Sequence, residues 1–99
     1  MPKYLIERHV PGASALTPEQ LQQIAQRSTC AIEHMGPSYR WHQTYIVGDT
    51  LYCVHEATSE EAVREHSRRG GFPVMRISRI DGIIEPSMAS PRPAMIAGG

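Results

Sequence analysis

The sequence contains little of what would mark a disulfide framework, a membrane span or a nucleic-acid-binding surface. Its only cysteines are Cys30 and Cys53, too few for the disulfide framework of a small secreted domain. No apolar run approaches the roughly 20 residues that a membrane-spanning helix needs. Ten basic residues balance ten acidic ones, whereas binding to a phosphate backbone requires a positive excess. We therefore expect a protein that binds neither nucleic acid nor membrane.

The length predicts one domain, because 99 residues lie below the size at which chains usually divide. We place this domain at residues 1–86. Residues 87–99 mix proline, serine, alanine and glycine with a single charge and no periodicity, so we predict a C-terminal tail there. The first ten residues are too short and too charged for a signal peptide, and with the scarcity of cysteine this predicts a cytoplasmic protein.

Turn and cap signals divide the domain into six elements. The segment TPEQ at 17–20 combines an N-cap threonine, a first-turn proline and a glutamine at N3, which together begin a helix. The pair GD at 48–49, between aromatic and β-branched runs, predicts a two-residue type II′ hairpin. The segment TSEE at 58–61 repeats this capping-box pattern and begins a second, short helix, which the glycines at 70–71 end. The other predicted elements are strands 3–10, 38–47, 50–57 and 74–84, and the first helix is predicted to run over 18–35.

The order strand, helix, strand, strand, helix, strand predicts an α+β domain with the ferredoxin-like βαββαβ arrangement. Such a domain has a four-stranded antiparallel sheet with both helices on one face. The other face of an antiparallel sheet is commonly left without cover. We therefore expect a homodimer that forms through the open face.

A two-residue loop also determines which residues of the hairpin oppose one another. Counting outward from the loop pairs Thr44 with Cys53 and His42 with His55, and opposed side chains share a face. Imidazole and thiolate are ligands that zinc, nickel and copper favour, so this patch predicts a metal site. Leu51 lies on the same face, however, and a free cysteine is often a small buried hydrophobic residue. The patch therefore also fits the core side of the sheet.

The opposite face of the hairpin carries aromatic residues, namely Trp41, Tyr45 and Tyr52. Aromatic side chains with polar tips suit a dimer interface, and they also suit a ligand pocket. His66 lies on the apolar face of the second helix, where a histidine is either a hydrogen-bonded core residue or a ligand that reaches the sheet. The sequence leaves both choices open.

No motif in the sequence gives a positive argument for an enzyme. There is no nucleophile elbow, and no pair of carboxylates has a spacing that separates an acid from a base. The fold does not decide the question, because ferredoxin-like domains host many activities. Two alternatives to a metal-binding protein therefore stay open: a small dimeric-barrel enzyme of the monooxygenase or isomerase type, and a protein interaction module.

Two segments resemble a family of small bacterial nickel-binding proteins with a ferredoxin-like fold, formerly classed as a domain of unknown function. The segments are GPSYRWHQTYIVGDTLYCVHEA and SEEAVREHSRRGGFP, and the likeness extends over residues 2–86. The resemblance implies a dimer that binds nickel in metal handling or sensing, with zinc or copper as other possible ions. The candidate ligands are His9, His42, Cys53, His55 and His66, of which Cys53 and His66 stand at positions that match the family.

Overall fold

The computed structural model describes residues 1–89. Its strands are β1 (Lys3–His9), β2 (Arg40–Val47), β3 (Thr50–Glu56) and β4 (Arg76–Ile80), and its α-helices are α1 (Pro18–Glu33) and α2 (Glu60–Gly70). The predicted tail, 87–99, lies outside the described residues from position 90 onward. Within residues 1–89, no helix has the length and hydropathy needed to cross a bilayer.

The four strands form one antiparallel sheet in the order β2-β3-β1-β4. Together with the βαββαβ order of the elements, this is the ferredoxin-like arrangement, and the predicted α+β class is confirmed. Inward-facing residues of the two central strands, including Ile6 and Cys53, pack with Val63 of α2 in a single core. Ile32 of α1 packs against the same core, so both helices cover one face of the sheet.

The predicted helix starts are confirmed. Thr17 Oγ1 accepts a hydrogen bond from the Gln20 amide at 3.2 Å, and Gln20 Oε1 accepts one from the Thr17 amide at 2.9 Å. These reciprocal bonds satisfy two amides that have no partner within the helix. At the start of α2 the N-cap is Ser59, within the predicted segment 58–61, and its Oγ accepts from the Ala62 amide at 3.2 Å without the reciprocal bond of a capping box. Gly71, with φ of 68°, ends α2 in the left-handed conformation.

The hairpin register is confirmed near the loop and wrong farther from it. Gly48 has φ of 59° and opens the two-residue loop, as a type II′ turn requires. Thr44 pairs with Cys53, as predicted. A β-bulge then lies between Trp41 and Gln43, so Trp41 pairs with His55. The predicted pairing of His42 with His55 is therefore incorrect, because the extra residue of a bulge has no partner of its own.

Strand β4 is shorter than the predicted strand 74–84. Its last pair joins Ile80 to Lys3, the first residue of β1. The residue that precedes Lys3 is Pro2, and proline has no amide hydrogen to donate to the strand pairing. The apolar side chain of Ile84 is accordingly exposed.

The sheet surface away from the helices is called the open face below. Because directly paired residues share a face, Glu7 of β1, Tyr52 of β3 and Tyr45 of β2 lie on it in one row. Tyr45 is 56% exposed and Val47 is 60% exposed. The structure thus places Tyr45 and Tyr52 outward, whereas the predicted grouping of Trp41 with them is incorrect because the bulge turns Trp41 inward.

Candidate functional site

A cavity of about 250 Å³ lies between the two helices and the inner face of the sheet. Most of its wall is apolar and comes from α1, β2 and β3. Leu21 and Ile46 line it and are each 38% exposed, so the cavity reaches the surface between α1 and β2. The lining residues with polar or sulfur atoms are Arg8, Ser28, Trp41, Thr44, Cys53, His55 and His66.

Two histidines meet at this cavity. Strand alternation directs His55 inward, and a spacing of one helical turn places His66 beside buried Val63 on the inner side of α2. The two imidazoles are 4.8 Å apart between ring centroids, and each is 1% exposed. Tyr39 stacks on His66 with a centroid separation of 5.1 Å. The His66 ring therefore lies beside His55 of the sheet, and both rings are packed in the core.

Each imidazole has one hydrogen-bonded nitrogen. The Tyr39 hydroxyl lies 2.5 Å from His55 Nδ1. His66 Nε2 lies 3.2 Å from Ser28 Oγ and 3.4 Å from the Ser28 carbonyl oxygen. A carbonyl only accepts, so this geometry assigns the proton to Nε2 and the lone pair to Nδ1. Within residues 1–89, His66 Nδ1 has no hydrogen-bond partner and no contact with solvent.

Burial keeps both imidazoles neutral at pH 7. It lowers the pKa of His55 from 6.5 to about 3, and the neighbouring charges of His66 and Arg8 act in the same direction. It lowers the pKa of His66 from 6.5 to about 4, against an opposing effect of the hydrogen bond to the Ser28 carbonyl. Burial also raises the pKa of Tyr39 above its ordinary value. The two imidazoles therefore present uncharged hydrogen-bond donors and acceptors to the cavity.

Arg8 is the charged group of the cavity wall, and it is not among the site residues predicted from the sequence. It is 2% exposed. Its Nη1 donates to Ser67 Oγ at 3.0 Å and to the Pro73 carbonyl at 2.9 Å, and its guanidinium lies 5.2 Å from the Phe72 ring centroid. Within the described residues no carboxylate forms an ion pair with it. The alternation of Tyr4, Ile6 and Arg8 along β1 was the signal that could have identified it.

The five predicted metal ligands lie in separate places. The cavity holds Cys53, His55 and His66. His42 lies on the open face, where its Nε2 is 2.9 Å from Glu56 Oε1, and His9 is exposed at the other end of the sheet. In residues 1–89, no group of three or more histidine, cysteine, aspartate or glutamate side chains is placed to hold one metal ion. Within the described residues, a single chain therefore offers two pairs of possible metal ligands, His55 with His66 and His42 with Glu56.

The two pairs differ in how well they suit a divalent cation. The pair His55 and His66 lies beside the buried charge of Arg8, and like charges repel strongly where water is scarce. The pair His42 and Glu56 combines an imidazole with a carboxylate. Their hydrogen bond lowers the pKa of Glu56, which is therefore ionised at neutral pH. Nitrogen and oxygen donors of this kind suit nickel, so the open-face pair fits the ion better.

Comparison with known proteins agrees with this fold. No curated protein matches the chain. The crystal structure of SCO4226 from Streptomyces coelicolor A3(2) superimposes with a TM-score of 0.70 at 21% identity, covering 83% of this chain and 99% of that one. At this identity the likeness establishes the fold alone. The family model described as nickel responsive protein SCO4226-like matches residues 4–80. This range contains both α-helices and all four strands, apart from Lys3, the first residue of β1. The chain therefore belongs to the family of SCO4226-like nickel responsive proteins.

Proposed function

We propose that the protein binds nickel as a homodimer, and that His42 and Glu56 on the open face supply the ligands from each chain. The observation that carries the proposal is the 2.9 Å contact between His42 Nε2 and Glu56 Oε1. The bulge beside Trp41 creates this contact, since regular pairing would have turned His42 toward the helices. The description of the family as nickel responsive supports nickel as the ion.

The symmetry of a dimer would complete the donor set. In a two-fold interface the same surface patch of each copy meets its equivalent, so a pair of donors near the axis is present twice. Two imidazoles and two carboxylates are a set that suits nickel, with water at the remaining positions. Such a set would also bind copper, which generally has the higher affinity, and zinc. Selectivity would then come from coordination geometry.

The composition of the open face supports the dimer. Tyr45 and Val47 of β2 are exposed hydrophobic residues there, Tyr52 and Val54 follow on the neighbouring strand β3, and Leu5 of β1 pairs with Val54. Contiguous apolar surface of this kind commonly marks an interaction site. The low cysteine content supports a cytoplasmic location, and a nickel-binding dimer there would serve in metal handling or sensing.

Calorimetric titration of the full chain with nickel tests the metal site. We expect saturable binding to the wild type, and we expect His42→Ala and Glu56→Gln each to weaken it about tenfold or more, as loss of a metal ligand or of its partner does. His34→Ala is the matched control, because His34 is an exposed histidine that lies after α1. Unchanged affinity in both open-face variants would refute the site.

Two further measurements separate the remaining possibilities. His66→Leu removes the cavity nitrogen that has no hydrogen-bond partner within residues 1–89. A loss of nickel binding in that variant alone would indicate that the metal binds in the cavity and not on the open face. Light scattering coupled to size exclusion, with and without nickel, tests the dimer. A monomer under both conditions would contradict the proposed assembly, whereas a nickel-dependent dimer would support both parts of the proposal.

A further inference from the structure

Within residues 1–89, the buried guanidinium of Arg8 has no counter-charge. It is 2% exposed, and the acceptors of its two hydrogen bonds, Ser67 Oγ and the Pro73 carbonyl, are both neutral. An isolated charge away from water is costly unless an opposite charge or strong hydrogen bonds compensate it. The Phe72 ring contributes a cation–π contact at 5.2 Å, which compensates only part of that cost. The site therefore favours an anion.

Donors remain available for such an anion. A guanidinium has five N–H groups, of which Nη1 carries two. Both hydrogen bonds of Arg8 come from Nη1, so Nε and Nη2 have no acceptor within residues 1–89. In that part of the chain His66 Nδ1 is the one unpaired polar side-chain atom sealed from solvent. The free donors of Arg8 therefore retain access to a space that admits water, and Arg8 lines the cavity.

The rest of the cavity suits the apolar body of a small molecule. Leu21, Ile24 and Trp41 are among the apolar residues that line it, and the opening between α1 and β2 gives a route of entry. An apolar cavity of about 150 Å³ admits benzene. This one, at about 250 Å³, has room for an aromatic ring with a polar substituent. Inorganic phosphate would leave the apolar wall without a partner.

We propose that the cavity binds a small organic carboxylate of about the size of benzoate, with its carboxylate on Arg8 and its apolar body against α1 and Trp41. A planar carboxylate matches the two-pronged geometry of a guanidinium. Ser28 and His66 lie in the same cavity and add neutral hydrogen-bonding groups. The site lies on the opposite side of the sheet from His42 and Glu56, so it does not depend on the proposed nickel site.

Benzoate is the probe, and benzamide is its neutral counterpart of nearly the same shape. Titration of the isotope-labelled full chain, followed by amide chemical shifts, measures both affinities. We expect saturable benzoate binding with a dissociation constant of about 1 mM or lower. We expect benzamide to bind about 10- to 100-fold more weakly, because it lacks the charge-assisted hydrogen bonds. Equal affinities, or no saturable shifts from benzoate, would overturn the proposal.

Variants locate the site. Arg8→Met keeps an unbranched side chain without the charge, and we expect it to weaken benzoate binding about 10- to 100-fold. Ala25→Phe keeps Arg8 but places a ring in the cavity, so it should abolish benzoate binding. This second variant tests the site even if Arg8→Met does not fold. Arg64→Met is the control, since Arg64 is an exposed arginine of α2 paired with Glu60. Loss of binding in Arg64→Met, or its retention in Ala25→Phe, would contradict the assignment.

Discussion

Lowering the pH from 7 to 5 is expected to destabilise the folded chain, because His55 and His66 are folded into the core as neutral rings. Both are 1% exposed. Their pKa values are lowered from 6.5 to about 3 and about 4, with burial as the largest cause. In the unfolded chain both rings return to their ordinary pKa. Between pH 6.5 and 4 the unfolded state therefore binds protons that the folded state does not.

The size of the effect follows from proton linkage. When the pKa of a histidine is lower in the folded state than in the unfolded state, the stability of the fold is highest above the unfolded-state pKa. It falls as the pH drops below that pKa, because only the unfolded state then binds the proton. The slope is at most about 1.4 kcal/mol per pH unit for each ring. Integrated from pH 7 to 5, each histidine contributes about 2 kcal/mol and the pair about 4 kcal/mol. A typical domain is stable by about 5–15 kcal/mol, so the loss would be large.

Urea unfolding at pH 7 and pH 5, followed by the fluorescence of Trp41, measures this difference. Trp41 is the single tryptophan of the chain and lines the cavity. His66→Leu removes one of the two rings and should reduce the pH effect by about half, to about 2 kcal/mol. His34→Ala, at an exposed position, should leave it unchanged. All variants are compared at one protein concentration, since the proposed dimerisation would make the stability depend on concentration. Equal stability of the wild type at both pH values would refute the neutral-ring argument.

Three further outcomes are expected. Tyr39→Phe removes the 2.5 Å partner of His55 Nδ1 and should cost about 1–3 kcal/mol in urea unfolding at pH 7, because a buried acceptor or donor is left unpaired; no loss would mean that water replaces the hydroxyl. Gly71→Ala should cost about 1–2 kcal/mol through backbone strain alone, since φ is 68° and an added Cβ meets nothing within 4 Å; an unchanged melting temperature would contradict this. Nickel affinity should be the same with and without saturating benzoate, and a shift of about tenfold would show that the sites are coupled.

Local signals were sufficient to predict the elements of the fold. The N-cap at Thr17 and the loop at Gly48 each depend on a few neighbouring residues, and both have the predicted geometry. The register near that loop is equally local, so Thr44 was placed correctly opposite Cys53. The end of β4 was not predictable from its own sequence, because it is determined by where β1 begins.

Arg8 shows why the charge of the site was missed. The alternating set of β1 that contains Arg8 also contains Tyr4 and Ile6, whereas the other set contains Lys3, Leu5, Glu7 and His9, so alternation alone favours the first set for the core. Which set faces the helices depends on pairing with β3, where Ile6 meets Cys53. An arginine is seldom fully buried, so composition favours the exposed face for it. Tertiary packing reversed that expectation.

The bulge at His42 determines the chemistry of both faces of the sheet. Regular pairing would have placed His42 inside, opposite His55 and near Arg8, and would have turned Trp41 outward. The extra residue instead brings His42 to Glu56 on the open face and Trp41 to the cavity. An imidazole beside a carboxylate favours a cation, whereas neutral imidazoles beside an unpaired guanidinium favour an anion. In place of one predicted metal patch, the structure thus supports the proposal of two sites of opposite charge preference, on the two faces of the sheet.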